Sequence, residues 1–386
     1  SRELSRLARE SGPQAREIRE SLQADFEYQG ITTCAGDSMC QTSCPVKIDT
    51  GALIKEMKAA RQPRWARSLA QAAASHLGVV TRLARVGLGL VARVRRVAGG
   101  PQLVHAVSAV AHRLAPTLVP DVSPDLDLPG PAGSLPVPQA RQAATRVVYF
   151  PSCLTRVLGS LPGEKTPPPA VAMLEVLDAA GFAVVYPREL ASLCCGMPFL
   201  SKGFPEAARR VAARTAEALW EASRQGRDVI VTDASPCAGT LGELVAEQIR
   251  QSGRMLRTLD FVSFWAQQAL PRLGSTKRRP GTVVVHPTCT LLRMGGLADL
   301  LAVARAHSDE VVVPASAECC GFAGDRGFLV PELTASAAAR EAADVRELGN
   351  VAFYSTCRTC ELGLGRAVGR PCLSMVHLVR EALLDG

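Results

Sequence analysis

The sequence predicts an α/β chain built from two repeated strand-helix domains with parallel sheets, preceded by a helical, cysteine-bearing segment. The first support is an internal repeat at long period. "VVYFPSC" at 147–153 returns as "VVVHPTC" at 283–289, and "CCGMPFLSKGFPE" at 194–206 returns as "CCGFAGDRGFLVPE" at 319–332. "VIVTDASPCAGTLG" at 229–242 aligns with "VAFYSTCRTCELGLG" at 351–365, setting Cys237 over Cys360 and Ala234 over Cys357. The second support is the alternation of periods inside each copy, which implies a parallel sheet covered by helices. Length is the third: 386 residues, 47% of them apolar, are enough for two or three domains with a sizeable core.

Taken in chain order, residues 1–54 read as a helical segment and 55–115 as a basic helical region. Residues 116–144 are too rich in proline for helix or central strand and read as a linker. The first repeated domain is expected over 145–256, a connector over 257–281 and the second domain over 282–386. In the first copy the apolar run ending at Phe150 predicts a strand, Ala170 to Ala180 an amphipathic helix, and "FAVVYP" a second strand. Pro205 to Gln225 predicts a helix with proline in its first turn, and "DVIVTD" a third strand.

Ligands of such sheets sit beyond the carboxyl ends of the strands, and the cysteines fall there. Cys153, Cys194, Cys195 and Cys237 belong to the first copy; Cys289, Cys319, Cys320, Cys357 and Cys360 belong to the second. Thiolates gathered in this way select soft metals, as zinc or as iron-sulfur. Five thiols in the second copy are one more than tetrahedral zinc uses, which favours iron-sulfur there over zinc or buried structural cysteines. The first copy, with Ala234 in place of a fifth thiol, leaves a four-ligand cluster, zinc or a degenerate site open. Gly196 and Gly321 are expected to let the backbone approach the metal closely. Cys372 and His286 are read as core residues.

The stretch "CAGDSMCQTSCP" at 34–45 nearly matches a bacterial ferredoxin run, whose last cysteine before proline serves the other of two clusters. Cys34, Cys40 and Cys44 fill three of its positions and Asp37 the fourth. Carboxylate oxygen holds iron less durably than thiolate, so iron beside Asp37 is expected to leave on oxidation, giving a three-iron form at Cys34 and Cys40.

Thirteen cysteines, adjacent or closely spaced, do not resemble a secreted disulfide framework. No apolar run reaches membrane-helix length and no signal-peptide pattern opens the chain, so a cytoplasmic location is expected. The net charge of +8 is concentrated in Lys55 to Arg113, where eleven Lys or Arg face one acid, Glu56. That run reads as a solvated helical face or as a dock for an acidic partner or the inner face of a membrane. Nucleic acid is disfavoured, because aromatic residues are 4% of the chain and no recognition motif accompanies the charge.

The repeated cysteines resemble the paired CCG domains of the heterodisulfide reductase family. That arrangement is shared with the iron-sulfur subunit of glycolate oxidase and with FAD-linked D-lactate dehydrogenases that carry a fused ferredoxin-type and CCG region. The resemblance covers about residues 20–380. "CAGDSMCQTSCPVKIDTG" at 34–51 is similar to the dehydrogenase pattern in its aspartate, its Met-Cys pair and its Pro-Val-x-Ile-x-Thr-Gly tail, and departs from it at Ser38, where the pattern has glycine. The resemblance implies [4Fe-4S] clusters, a noncubane type in the second domain, and FAD in a domain or subunit upstream of Ser1. It implies an electron-transfer part of a D-2-hydroxy acid dehydrogenase, passing electrons from flavin to a quinone or cytochrome. No flavin fingerprint and no catalytic constellation is visible in the chain, so it is expected to be catalytically incomplete alone. The alternatives are a glycolate oxidase iron-sulfur subunit, a disulfide-reducing subunit like heterodisulfide reductase, and a zinc-stapled scaffold.

Overall fold

The computed structural model describes residues 6, 9, 12–115, 119–124, 126–139, 145–250, 252–274 and 276–385. The opening residues of the segment 1–54 and parts of the linker, 116–118 and 140–144, lie outside the described residues.

Each repeat forms one four-stranded parallel sheet. In the first, β1 (Thr145–Tyr149), β2 (Phe182–Val185), β3 (Val229–Thr232) and β4 (Thr258–Asp260) lie in the order β2-β1-β3-β4. In the second, β5 (Arg279–His286), β6 (Ser308–Val312), β7 (Ala352–Ser355) and β8 (Cys372–Ser374) lie in the order β6-β5-β7-β8. Parallel neighbours need a crossover, supplied here by helices such as Pro169–Ala179 and Pro205–Ala222. The chain moves outward from β1 to β2 and then returns past β1 to β3. The reversal leaves a crevice between the ends of β1 and β3, and the same reversal occurs between β5 and β7.

The fourth strand of the first sheet corrects the sequence-based division of the chain. Thr258–Asp260, expected in a connector, pairs in parallel with β3 through Ile230↔Thr258 and Thr232↔Asp260. Its three residues are too short to register as a strand by period; pairing with an established neighbour defines it. The helix beginning at Phe261, capped by the Asp260 carboxylate on the Ser263 amide at 3.0 Å, then packs into the core.

Strands buried on both faces assign each face a task. Val147, Tyr149 and Val231 of one sheet and Val283, Val285 and Tyr354 of the other share one apolar core with Trp265, Leu300 and Val379. The two domains are therefore fused through their inner faces. Each fully buried side chain of this size contributes about 1.5–3 kcal/mol. The opposite faces hold the sulfurs: Val148 and Ile230 pack with Cys194, Cys195 and Cys237, while Val284 and Phe353 pack with Cys320, Cys357 and Cys360.

The region ahead of the Pro-rich stretch forms the helices Thr50–Arg61, Arg64–Ser75, Leu77–Val94 and Gly100–Leu114. Several of its arginines are structural. Arg85 donates to Ala132 O at 2.8 Å, and Arg95 donates to Pro124 O and Leu126 O at 2.8 and 2.9 Å. These bonds strap the described part of the Pro-rich stretch across the helices, and Pro131 bridges Leu158 in the first domain. Among the described residues, no helix is long and apolar enough to cross a membrane.

Candidate metal centres

Each cysteine that follows a central strand also begins a helix. Cys153 opens Cys153–Val157 after the cap Ser152, and Cys289 opens Cys289–Arg293 after Thr288. Cys237 is the third residue of Ser235–Thr240, and Cys360 the third of Arg358–Val368, whose N-cap is Cys357. At Cys357 the free amides of the helix start favour sulfur in its anionic form.

In the first domain the thiols form a chain of contacts. Cys153 hydrogen-bonds Cys194, Cys194 bonds Cys195, and Cys195 Sγ lies 3.7 Å from Cys237 Sγ. Bonding to Cys194, reinforced by burial, pushes the Cys153 thiol well up. Cys194 is pulled down by Cys153, yet Cys195 and burial carry it net up to about 12. Without a cation these four hold their protons; a metal would have to displace them.

In the second domain the thiols fall into two contacting sets, Cys289 with Cys319 and Cys320 with Cys357 and Cys360. Cys289 and Cys319 are hydrogen-bonded, Cys320 Sγ lies 3.0 Å from Cys360 Sγ, and Cys360 bonds Cys357. Cys360 donates to Cys357 and, with the Thr359 hydroxyl at 3.3 Å and the helix amides, holds it down at about 6 despite burial. Bonding from Cys319 lowers Cys289, and the same bond together with burial raises Cys319.

The N-terminal cysteines occupy a separate loop. The Thr50 hydroxyl donates to Cys40 Sγ at 2.9 Å and lowers that thiol. Amides of Ile48, Val46 and Lys47 converge on Cys44 and lower it too. Cys34 faces Lys58 and Arg326; Lys58 is itself brought down to about 8 by burial and by Arg326. Asp37, Cys34 and Cys40 do not lie mutually within 4.8 Å. Among the described residues, the one set of three potential ligands mutually within 4.8 Å is Asp37, Cys289 and Cys319. The loop folds this way because Gly36 (φ 64°) and Ser38 (φ 63°) are both left-handed, turning the chain on either side of Asp37.

The glycines of the Cys-Cys-Gly triplets lie close against helix backbone. A Cβ on Gly196 would meet Ala208 O at 3.1 Å, and one on Gly321 would meet Leu333 O at 2.9 Å, both at positive φ. His286 is core, as expected, but polar: its Nδ1 sits 2.8 Å from the buried Glu341 carboxylate.

Buried charge beneath the sites is not legible in the sequence. Arg156 donates to Leu193 O at 2.6 Å beside the first site. Arg358, between Cys357 and Cys360 in sequence, reaches Glu164 of the first domain at 3.1 Å and Glu361 at 3.2 Å. Burial pushes Glu361 up to about 8 against the pull of Arg358. The spacing of Arg358 and Glu361 is that of a helical pair, but Glu164 is remote in sequence.

Residues 147–242 and 283–365 each match the family model described as a cysteine-rich domain, CCG. The two repeats are CCG domains. Over 253 residues the chain is 25% identical to one of the subunits of the anaerobic glycerol-3-phosphate dehydrogenase of Escherichia coli K12, covering 64% of this chain and 61% of that one. It is 26% identical over 274 residues to one of the subunits of the fumarate reductase (CoM/CoB) of Methanothermobacter marburgensis, covering 70% and 51%. With lactate utilization protein A of Bacillus cereus it shares 23% identity over 234 residues, covering 58% and 92%. The chain thus spans less than two thirds of the first two relatives. Two of the three relatives are by name components of larger enzymes, a dehydrogenase and a reductase.

Proposed function

We propose that this chain is the iron-sulfur electron-transfer component of a dehydrogenase, and that the dehydrogenase acts on D-lactate or a related D-2-hydroxy acid through FAD held by a partner domain or subunit. The carrying observation is continuity. The helix Met39–Ser43, which bears Cys40, packs on Cys289–Arg293, and that helix packs on Ser235–Thr240, which bears Cys237. Three sets of thiols are thereby joined by directly touching helices, the arrangement that short electron hops require.

The residues fit iron-sulfur better than zinc. Five thiols exceed a tetrahedral set, and Val284 and Phe353 pack against Cys320, Cys357 and Cys360. Cys289, Cys319, Cys320, Cys357 and Cys360 would hold one centre, Cys153, Cys194, Cys195 and Cys237 another, and Cys34, Cys40 and Cys44 part of a third. Bound iron-sulfur supplies one-electron redox chemistry. The protein's own residues orient the sulfurs, exclude water through apolar packing, and place Arg156, Arg358, Lys58 and Arg326 against anionic thiolates. The dehydrogenase assignment rests on the resemblance at 34–51, and the lactate utilization and glycerol-3-phosphate dehydrogenase relatives support its general kind.

A membrane surface is the proposed location of the acceptor, a quinone or cytochrome. Leu83 (64% exposed), Val86 and Leu90 (62%) recur at helical spacing on Leu77–Val94, as do Leu103, Val107 (63%), Val110 and Leu114 (83%) on Gly100–Leu114. Exposed Arg82, Arg93, Arg96 and Arg113 accompany this stripe. An apolar face with basic residues suits an anionic bilayer interface, not a span.

The test is anaerobic reconstitution followed by stopped-flow mixing. Dithionite should bleach the protein and ferricyanide restore it, while D-lactate alone leaves it unchanged until an FAD-bearing partner is added. Direct turnover of a disulfide by the reduced chain alone would favour the heterodisulfide reductase-like reading instead.

A further inference from the structure

Asp37 is separated from the second CCG domain by more than two hundred residues, yet its carboxylate is within 4.8 Å of the Cys289 and Cys319 sulfurs. Nothing in the strand-helix repeat calls for an acid there. Three groups that carry negative charge when deprotonated repel one another at this distance unless a cation lies among them. One oxygen of Asp37, Oδ1, accepts the Met39 amide at 3.2 Å, and a carboxylate has capacity left for a ligand bond. The approach is built into the packing, because the helix Met39–Ser43 lies against Cys289–Arg293 and Tyr28 Oη donates to Glu332 of the same domain at 2.6 Å.

We propose that Asp37 is an oxygen ligand of the metal centre held by Cys289 and Cys319, so that this centre is completed by the N-terminal segment as well as by the CCG domain. The proposal rests on the reading of the second domain as a metal site. It moves the acid from the cluster of its own loop to the neighbouring one. Oxygen is the harder and more exchangeable donor in an otherwise sulfur set, so the metal atom at this corner is the one that leaves or admits an outside ligand most readily. Loading the centre also pins residues 36–50 to the second domain.

The experiment compares parent, Asp37→Asn and Asp37→Cys, each also made in a Cys34→Ser/Cys40→Ser/Cys44→Ser background that removes the N-terminal thiols. Metal release to a chelator is followed by absorbance and metal analysis, with hydrogen exchange of residues 36–50 before and after loading. Asp37→Asn should speed release of part of the metal on the order of tenfold, as loss of a metal partner does. Asp37→Cys should slow it, and both effects should persist in the triple-serine background together with metal-dependent protection of 36–50. Equal release rates from all three proteins overturn the proposal, as do effects that vanish with the N-terminal thiols. Zinc in place of iron and sulfide would defeat the iron-sulfur reading while leaving the Asp37 comparison intact.

Discussion

Ala234 stands in the first domain where Cys357 stands in the second. Each is the extended N-cap of the helix that follows the third strand, at φ −137° and −153°, and each precedes a cysteine three residues on. The backbone for a fifth thiol is therefore already in place in the first domain. Ala234→Cys should give that domain a five-thiol set and slow chelator-driven metal release from it on the order of tenfold. Unchanged release and an unchanged visible spectrum would mean that the first site does not use this position.

Ser38 holds a left-handed conformation where glycine would be unstrained, and its hydroxyl bonds the Asp49 carboxylate. Burial opposes ionisation of Asp49, but Ser38, the Ala52 amide and Lys55 keep it below its ordinary range, and it caps Thr50–Arg61. Ser38→Ala keeps the strain and loses the bond, so it should lower stability by about 1–2 kcal/mol. Ser38→Gly loses both and should stay within about 1 kcal/mol of the parent. Denaturant unfolding measures the order; alanine matching or exceeding glycine would remove the role assigned to this bond.

His307 is fully buried, accepts the Trp265 indole N–H at Nε2 over 2.9 Å, and is brought down to about 4 by burial. A depressed pKa means that the unfolded chain binds the proton first. The stability is present above the ordinary histidine value of 6.5 and is lost as pH falls from there towards 4, reaching about 3 kcal/mol. His307→Gln should flatten this acid limb. Denaturation monitored by Trp fluorescence between pH 7 and 4 tests it, and an identical acid limb in parent and variant would contradict it.

The apolar stripe makes a separate prediction. Leu83→Glu with Leu90→Glu should reduce flotation with anionic vesicles at least tenfold and leave the thiol sites intact, since two charged groups at the interface cost several kcal/mol. Equal flotation of parent and variant, or no flotation of the parent, would count against a membrane surface.

What the sequence discloses and what it hides follow from how far each signal reaches. The three long strands of the first copy and their helices are legible because apolar runs and proline starts are local, and the strand-end rule then locates nine of the sulfurs. The short strands Thr258–Asp260 and Cys372–Ser374 are not legible, since three residues carry no period and are fixed by pairing alone. Asp37 stands out as unusual in the right loop, but spacing assigns it to the sulfurs nearest in sequence. Its approach to Cys289 depends on how one segment packs on another, which spacing within the segment does not encode. The same holds for Arg358 with Glu164, a pair formed across domains.

The most direct measurement is metal and acid-labile sulfide analysis of the anaerobically purified chain, paired with its visible spectrum before and after dithionite. Iron-sulfur electron transfer predicts a brown protein holding iron and sulfide in comparable amounts, bleached by dithionite, with a distinct part of the spectrum lost in Cys289→Ser and Cys357→Ser. A colourless protein carrying zinc and no sulfide, unaltered by dithionite, would contradict it.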